Sequence, residues 1–268
     1  MREVPAELDR AFVFGSKARG EARPDSDVDV LLVFRRLPPD REPQAAMAER
    51  LAEEVARDTG VPVTVWSVSR VDLEPGNRTP MLVDALDDGI PVWPPGAPPL
   101  RLAFTPRDAL RCTDALLARV AEGGEEVSDR LGAADLDPAW RRMRDDVVRL
   151  CTAGLLLAGE TRPRRGDAVR RFLARYGGGP DLPGRYAPVF RWAATSFGEH
   201  GREDGANVPP PPGGPFPVAA LIDLLRARVT ERAGALARRV ASGEPAAPTH
   251  VVPWMESPLR RTGGRRNP

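Results

Sequence analysis

Two aspartates at alternate positions, Asp27 and Asp29, open the apolar run "DVDVLLVF" that ends at Phe34. No other feature restricts the fold as much. In a strand, alternate residues share a face, so the two carboxylates point the same way. Carboxylates amid apolar side chains are costly unless something pairs with them. Upstream, "RAFVFG" (10–15) is a second strand-like run that ends in Gly15-Ser16. The order is strand, Gly-Ser turn, polar return, then a strand bearing acids. Two carboxylates on one face repel unless a cation lies between them. A hard divalent ion, Mg²⁺ or Mn²⁺, takes oxygen ligands and keeps positions free for phosphates. Gly15 has no side chain to keep phosphate oxygens from the backbone N–H groups. Ser16 adds a hydroxyl donor, and Lys17 or Arg19 can neutralise charge. Together these residues form a triphosphate site with its metal.

The surrounding chain supplies a small α/β scaffold. "REPQAAMAERLAEEVARDTG" (41–60) has the amphipathic period of a helix with a Gly stop. "VPVTVWSVS" (61–69) reads as a strand, and "TPMLVDALDDG" (79–89) as a helix with Thr79 as N-cap and Pro80 at its first position. "IPVW" (90–93) closes the sheet, and "PPGAPP" (94–99) marks a domain boundary. Beyond it the pattern is helical. Thr105-Pro106 with Asp108 starts a helix expected to stop at Gly123-Gly124, and Asp137-Pro138 starts a second. Residues 167–179 and 186–198, and the long segment 218–243, complete a five-helix bundle. The expected domains are 1–96, 100–243 and a Pro/Arg/Gly-rich tail, 244–268, read as disordered.

Composition narrows the partners. With 41% hydrophobic residues, 29% charged and a net charge of +1, nothing points to duplex DNA or a charged membrane surface. Lys17 is the one lysine among a large excess of arginine. Two cysteines, Cys112 and Cys151, and two histidines, His200 and His250, are too few for a disulfide scaffold or a zinc site. Free thiols fit a reducing cytoplasm. No signal-length apolar segment opens the sequence, and "AGLLLAG" (153–159) is too short to span a bilayer. The expectation is a cytoplasmic protein with no membrane partner.

The string "FGSKARGEARPDSDVDVLLV" (14–33) resembles the signature of the minimal nucleotidyltransferases of the DNA polymerase β superfamily. Aminoglycoside nucleotidyltransferases and antitoxin-type enzymes that adenylylate partner proteins belong to that group. The resemblance covers about residues 10–93, including the closing "DDGIPVW". It implies an α+β fold, with a small mixed sheet and flanking helices followed by an α-helical bundle. It implies Gly15 and Ser16 on the triphosphate, assisted by Lys17 and Arg19, with Asp27 and Asp29 on the metal and in catalysis. The co-substrate would be a nucleoside triphosphate, ATP in the first instance. The acceptor would be a hydroxyl of a small molecule, a protein or an RNA end. A second copy of the chain or a partner protein is the further partner.

The superfamily normally places a third acid on a later strand. Strand 61–69 contains none; Thr64, Pro62 or Ser67 stands in its place. Loss of a general base costs about two to four powers of ten in rate, so binding can outlast turnover. Asp72, Glu74, Asp84, Asp87, Asp88, Asp145 and Asp146 are the substitute acids nearby in sequence or in the helical half. Three readings follow: an active nucleotidyltransferase, a degenerate one serving as a nucleotide-binding or partner-binding, antitoxin-like module, or an unrelated α/β protein with a chance motif that binds no nucleotide. The stretch 151–177 resembles the substrate-binding or HEPN-type helical domains that accompany these enzymes. Its turn "ETRPRRGDAV" carries Arg162, Arg164 and Arg165 but no histidine, which argues against the RNA cleavage of HEPN ribonucleases.

Overall fold

The computed structural model describes residues 7–24, 26–36, 42–133, 136–160, 167–177, 184–195 and 209–243. The expected tail 244–268, the arginines 162, 164 and 165, and both histidines lie outside the described residues. The chain divides into two compact units at Asp108/Ala109.

The first unit is a four-stranded mixed sheet with flanking helices. In chain order it has β1 (Leu8–Phe14), a single helical turn α1 (Gly15–Ala18), β2 (Val28–Phe34), α2 (Glu42–Thr59), β3 (Val63–Ser69), α3 (Pro80–Asp87) and β4 (Ile90–Trp93). The strand order is β3-β2-β1-β4. The short polar return between β1 and β2 makes them antiparallel, whereas the α2 crossover makes β2 and β3 parallel. β4 pairs antiparallel with β1. Phe12, Leu31 and Leu86 are wholly buried, in one cluster with Phe14, Val33, Leu82 and Ala85. Each fully buried side chain of this kind contributes roughly 1.5–3 kcal/mol. β2 is therefore anchored by Leu31 and Val33; Asp29 lies on their face near its start, and Asp27 immediately precedes the strand. α3 begins as expected: Pro80 takes the first position and Thr79 Oγ1 accepts the Leu82 N–H at 3.2 Å.

Beyond the proline-rich stretch, Leu100 and Leu102 pack against this same core. Asp108, fully buried, ties the segment down. Its Oδ1 accepts the N–H groups of Gly76 (2.6 Å) and Arg78 (2.9 Å), and its Oδ2 accepts the Thr105 N–H (2.7 Å) and hydroxyl (2.6 Å). The Asp108 N–H returns to Thr105 Oγ1, completing the expected reciprocal cap.

The second unit is helical: α4 (Pro106–Gly132, whose first turn belongs to the first unit), α5 (Leu136–Leu157), α6 (Ala168–Tyr176), α7 (Ala187–Thr195) and α8 (Pro215–Ala241). α5 carries the core, with Met143, Val147, Leu150 and Leu155 packed in one cluster with Phe172, Phe190, Leu221 and Leu225. Trp192, Phe190 and Tyr186 are buried, and Trp140 meets Trp192 edge-on at 5.7 Å between ring centroids. α4 corrects the expected stop at Gly123-Gly124. Mid-helix glycine costs about 1 kcal/mol, a penalty that packing overrides. Leu116, Leu117, Val120 and Val127 join the helical core on both sides of the pair, and the Arg142 guanidinium lies where a Gly123 side chain would stand.

Candidate functional site

β1 ends at Phe14 and the chain turns at Gly15, which has φ +75°. In the β1–β2 register Phe14 lies opposite Asp29, so the turn and the acid meet. The contact is close. A methyl added to Gly15 would fall 3.1 Å from Asp29 Cγ and inside the contact distance of its Oδ2. The left-handed backbone and the adjacent carboxylate both require glycine here. Sequence reasoning assigned the missing side chain to phosphate approach; the structure adds that Asp29 already fills part of the space.

Asp29 is half-buried, and its carboxylate forms no hydrogen bond with another described side chain. Burial pushes its carboxyl pKa up, the Asp27 charge pushes it further, and Arg19 partly opposes both. The parallel register sets Thr64 opposite Asp29, and Thr64 Oγ1 donates to Asp27 Oδ2 at 2.8 Å. Thr64, rather than Pro62 or Ser67, is therefore the residue that faces the acids. A hydroxyl there satisfies one oxygen of Asp27 and brings no charge.

Arg19 is held in two ion pairs, Nε to Glu21 at 2.8 Å and Nη1 to Asp88 at 3.1 Å. It fastens the polar return to the end of α3 while lending positive charge to Asp29. Sequence reasoning missed both partners. Ser16 and Lys17 lie in the α1 turn, and neither side chain bonds another described residue. Most substitute acids have other partners. Asp72 accepts the Ser69 N–H and hydroxyl, and Asp87 lies 3.7 Å from Arg101. Asp145 and Asp146 both pair with Arg149 along α5. Glu74 is exposed, and Asp84 sits on α3. Among the described residues no group of three or more acids, histidines or cysteines has metal-binding geometry.

The family model of the nucleotidyltransferase domain matches residues 2–86. That segment is a nucleotidyltransferase domain of the polymerase β type. Its match ends within α3, so α1, the acid strand and Thr64 all fall inside it. Nucleotidyltransferase domains of this kind generally use a divalent metal and a nucleoside triphosphate. A search of the curated proteins found no match to the chain. Among the described residues no helix is long and apolar enough to cross a membrane.

The donor set of this nucleotidyltransferase domain fits such a metal. Asp27 and Asp29 offer hard carboxylate oxygens on one face. Burial and the neighbouring Asp27 charge both disfavour the Asp29 carboxylate, and a divalent cation would offset that penalty.

Proposed function

We propose that the chain transfers a nucleoside monophosphate from a Mg²⁺- or Mn²⁺-bound nucleoside triphosphate, ATP in the first instance, to a hydroxyl acceptor. The observation that carries this reading is the contact of the Asp29 carboxylate with the Gly15 turn, beside the same-face Asp27. Asp27 and Asp29 would hold the metal. The backbone at Gly15 and Ser16, the Ser16 hydroxyl and the Lys17 ammonium would hold the triphosphate, and Arg19 would tune the charge at Asp29. The acceptor oxygen bonds to the α-phosphorus, the bond to the bridging oxygen breaks, pyrophosphate leaves and the hydroxyl proton passes to water. A bound divalent metal supplies Lewis acidity and neutralises phosphate charge. The chain's own residues position the reactants, which is the larger part of catalysis in phosphoryl-group transfer.

One observation favours a second reading. Thr64 stands bonded to Asp27 where the superfamily's third carboxylate is expected, so no acid activates the acceptor from β3. In that reading the domain binds nucleotide and metal as a sensing or partner-binding module, with the helical unit as the partner or acceptor surface. The two readings separate on turnover. Purified chain is incubated with Mg²⁺ and each α-labelled nucleoside triphosphate, alone and with fractionated lysate, beside an Asp27→Asn/Asp29→Asn control. Label transferred by the wild type alone supports the enzyme. Nucleotide binding without transfer supports the module, and no binding rejects both.

A further inference from the structure

Trp66 stands out on the face that carries the acids. The residue is 45% exposed, although β3 also carries the half-buried Val63, Val65 and Val68. β3 is an outer strand of the sheet. The Thr64 hydroxyl on Asp27 fixes which face Thr64 occupies, and Trp66, two residues on, leaves the strand on the same face. The register makes the same point: Asp29 pairs with Thr64, and the next same-face pair is Leu31 with Trp66. Two strand residues span about 7 Å, so the indole rises one step from the hydroxyl that touches Asp27. Leu31 is wholly buried, and no aromatic ring among the described residues packs on Trp66. An apolar ring of this size on an open edge strand gives up burial and invites unwanted pairing. A ligand that covers the ring would offset that loss.

We infer that Trp66 is the stacking platform for the nucleobase of the bound nucleoside triphosphate. The inference rests on the proposed role of Asp27 and Asp29, because a nucleoside tethered to a triphosphate at those acids can reach only their surroundings. Stacking needs a flat face open to the base, and an exposed indole provides one. The test is Mg²⁺-dependent binding of ATP and of inorganic tripolyphosphate, by calorimetry, to the wild type, Trp66→Ala and Trp66→Phe. Trp66→Ala is expected to weaken ATP about 5- to 150-fold and leave tripolyphosphate unchanged, with Trp66→Phe close to wild type. Unchanged ATP affinity in Trp66→Ala overturns the inference, and so does an equal loss for both ligands, which would mark a structural role. Failure of wild type to bind either ligand, or binding indifferent to Asp27→Asn/Asp29→Asn, removes the acid-pair reading and this one with it. Binding of tripolyphosphate together with Trp66-independent binding of ATP removes the stacking inference alone.

Discussion

Replacing Gly15 with alanine acts on the fold and the site at once, and the structure separates the two effects. At φ +75° an L side chain costs about 1–2 kcal/mol through the backbone alone. The new methyl would also lie 3.1 Å from Asp29 Cγ and against its Oδ2. Relief requires the carboxylate to move by roughly 1 Å, a displacement that can cost about 100-fold where geometry matters. Gly20 provides the control. Its φ is +71° and an added methyl there would meet nothing within 4 Å. Gly20→Ala should therefore lose only the backbone amount, about 1–2 kcal/mol, and keep metal-dependent nucleotide binding. Gly15→Ala should lose at least as much stability and also about 100-fold in Mg²⁺-dependent ATP affinity or transfer rate. Urea unfolding with and without Mg²⁺ and ATP reads stability and affinity, and label transfer reads the rate. Equal behaviour of the two variants, with ATP affinity intact in each, would refute the claim that Gly15 exists to seat Asp29.

Three other substitutions probe separate parts of the account. Thr64→Asp places a third carboxylate opposite Asp29, so Mg²⁺ affinity should rise and transfer should gain about two to four powers of ten, checked by label transfer; unchanged metal affinity would contradict the assigned position. Asp29 has a folded-state pKa above its ordinary 3.8, so the stability it contributes is present below that value and lost as pH rises through the folded pKa. Asp29→Asn should accordingly unfold at higher urea than the wild type at pH 7, with the gap closing towards pH 3.8, and Mg²⁺ should stabilise only the wild type. Asp108→Ala strands three backbone N–H groups and a hydroxyl and should cost roughly 3 kcal/mol or more; a loss below about 1 kcal/mol in urea unfolding would show the clamp to be dispensable.

How legible the chain was depended on the range of the interaction. The strands 28–34 and 90–93 have the bounds read from sequence, because alternation and turn residues are local signals. The Thr79 cap and the Thr105–Asp108 box were also readable, since their partners lie three residues apart. The stop at Gly123-Gly124 failed because helix propensity is a weak local preference and the helical core decided the matter. At the candidate site, alternation along β2 gave the face of Asp29, whereas Asp27 lies just before the strand and its position is seen from its bond with Thr64. Thr64 could be narrowed to three candidates but not chosen, because the parallel register joins strands separated by all of α2. The Arg19–Asp88 pair and the second pair of bonds on Asp108 join segments far apart in sequence, and no local pattern announces them.

The proposed metal–nucleotide site consists of Asp29, seated on the Gly15 turn, and Asp27, bonded to Thr64. Electron paramagnetic resonance of Mn²⁺ tests it most directly, titrating the ion into wild type and Asp27→Asn/Asp29→Asn, each with and without ATP. The account predicts saturable, one-to-one binding by wild type that tightens with ATP and is lost in the double variant. Equal Mn²⁺ and ATP binding by the two proteins would contradict it.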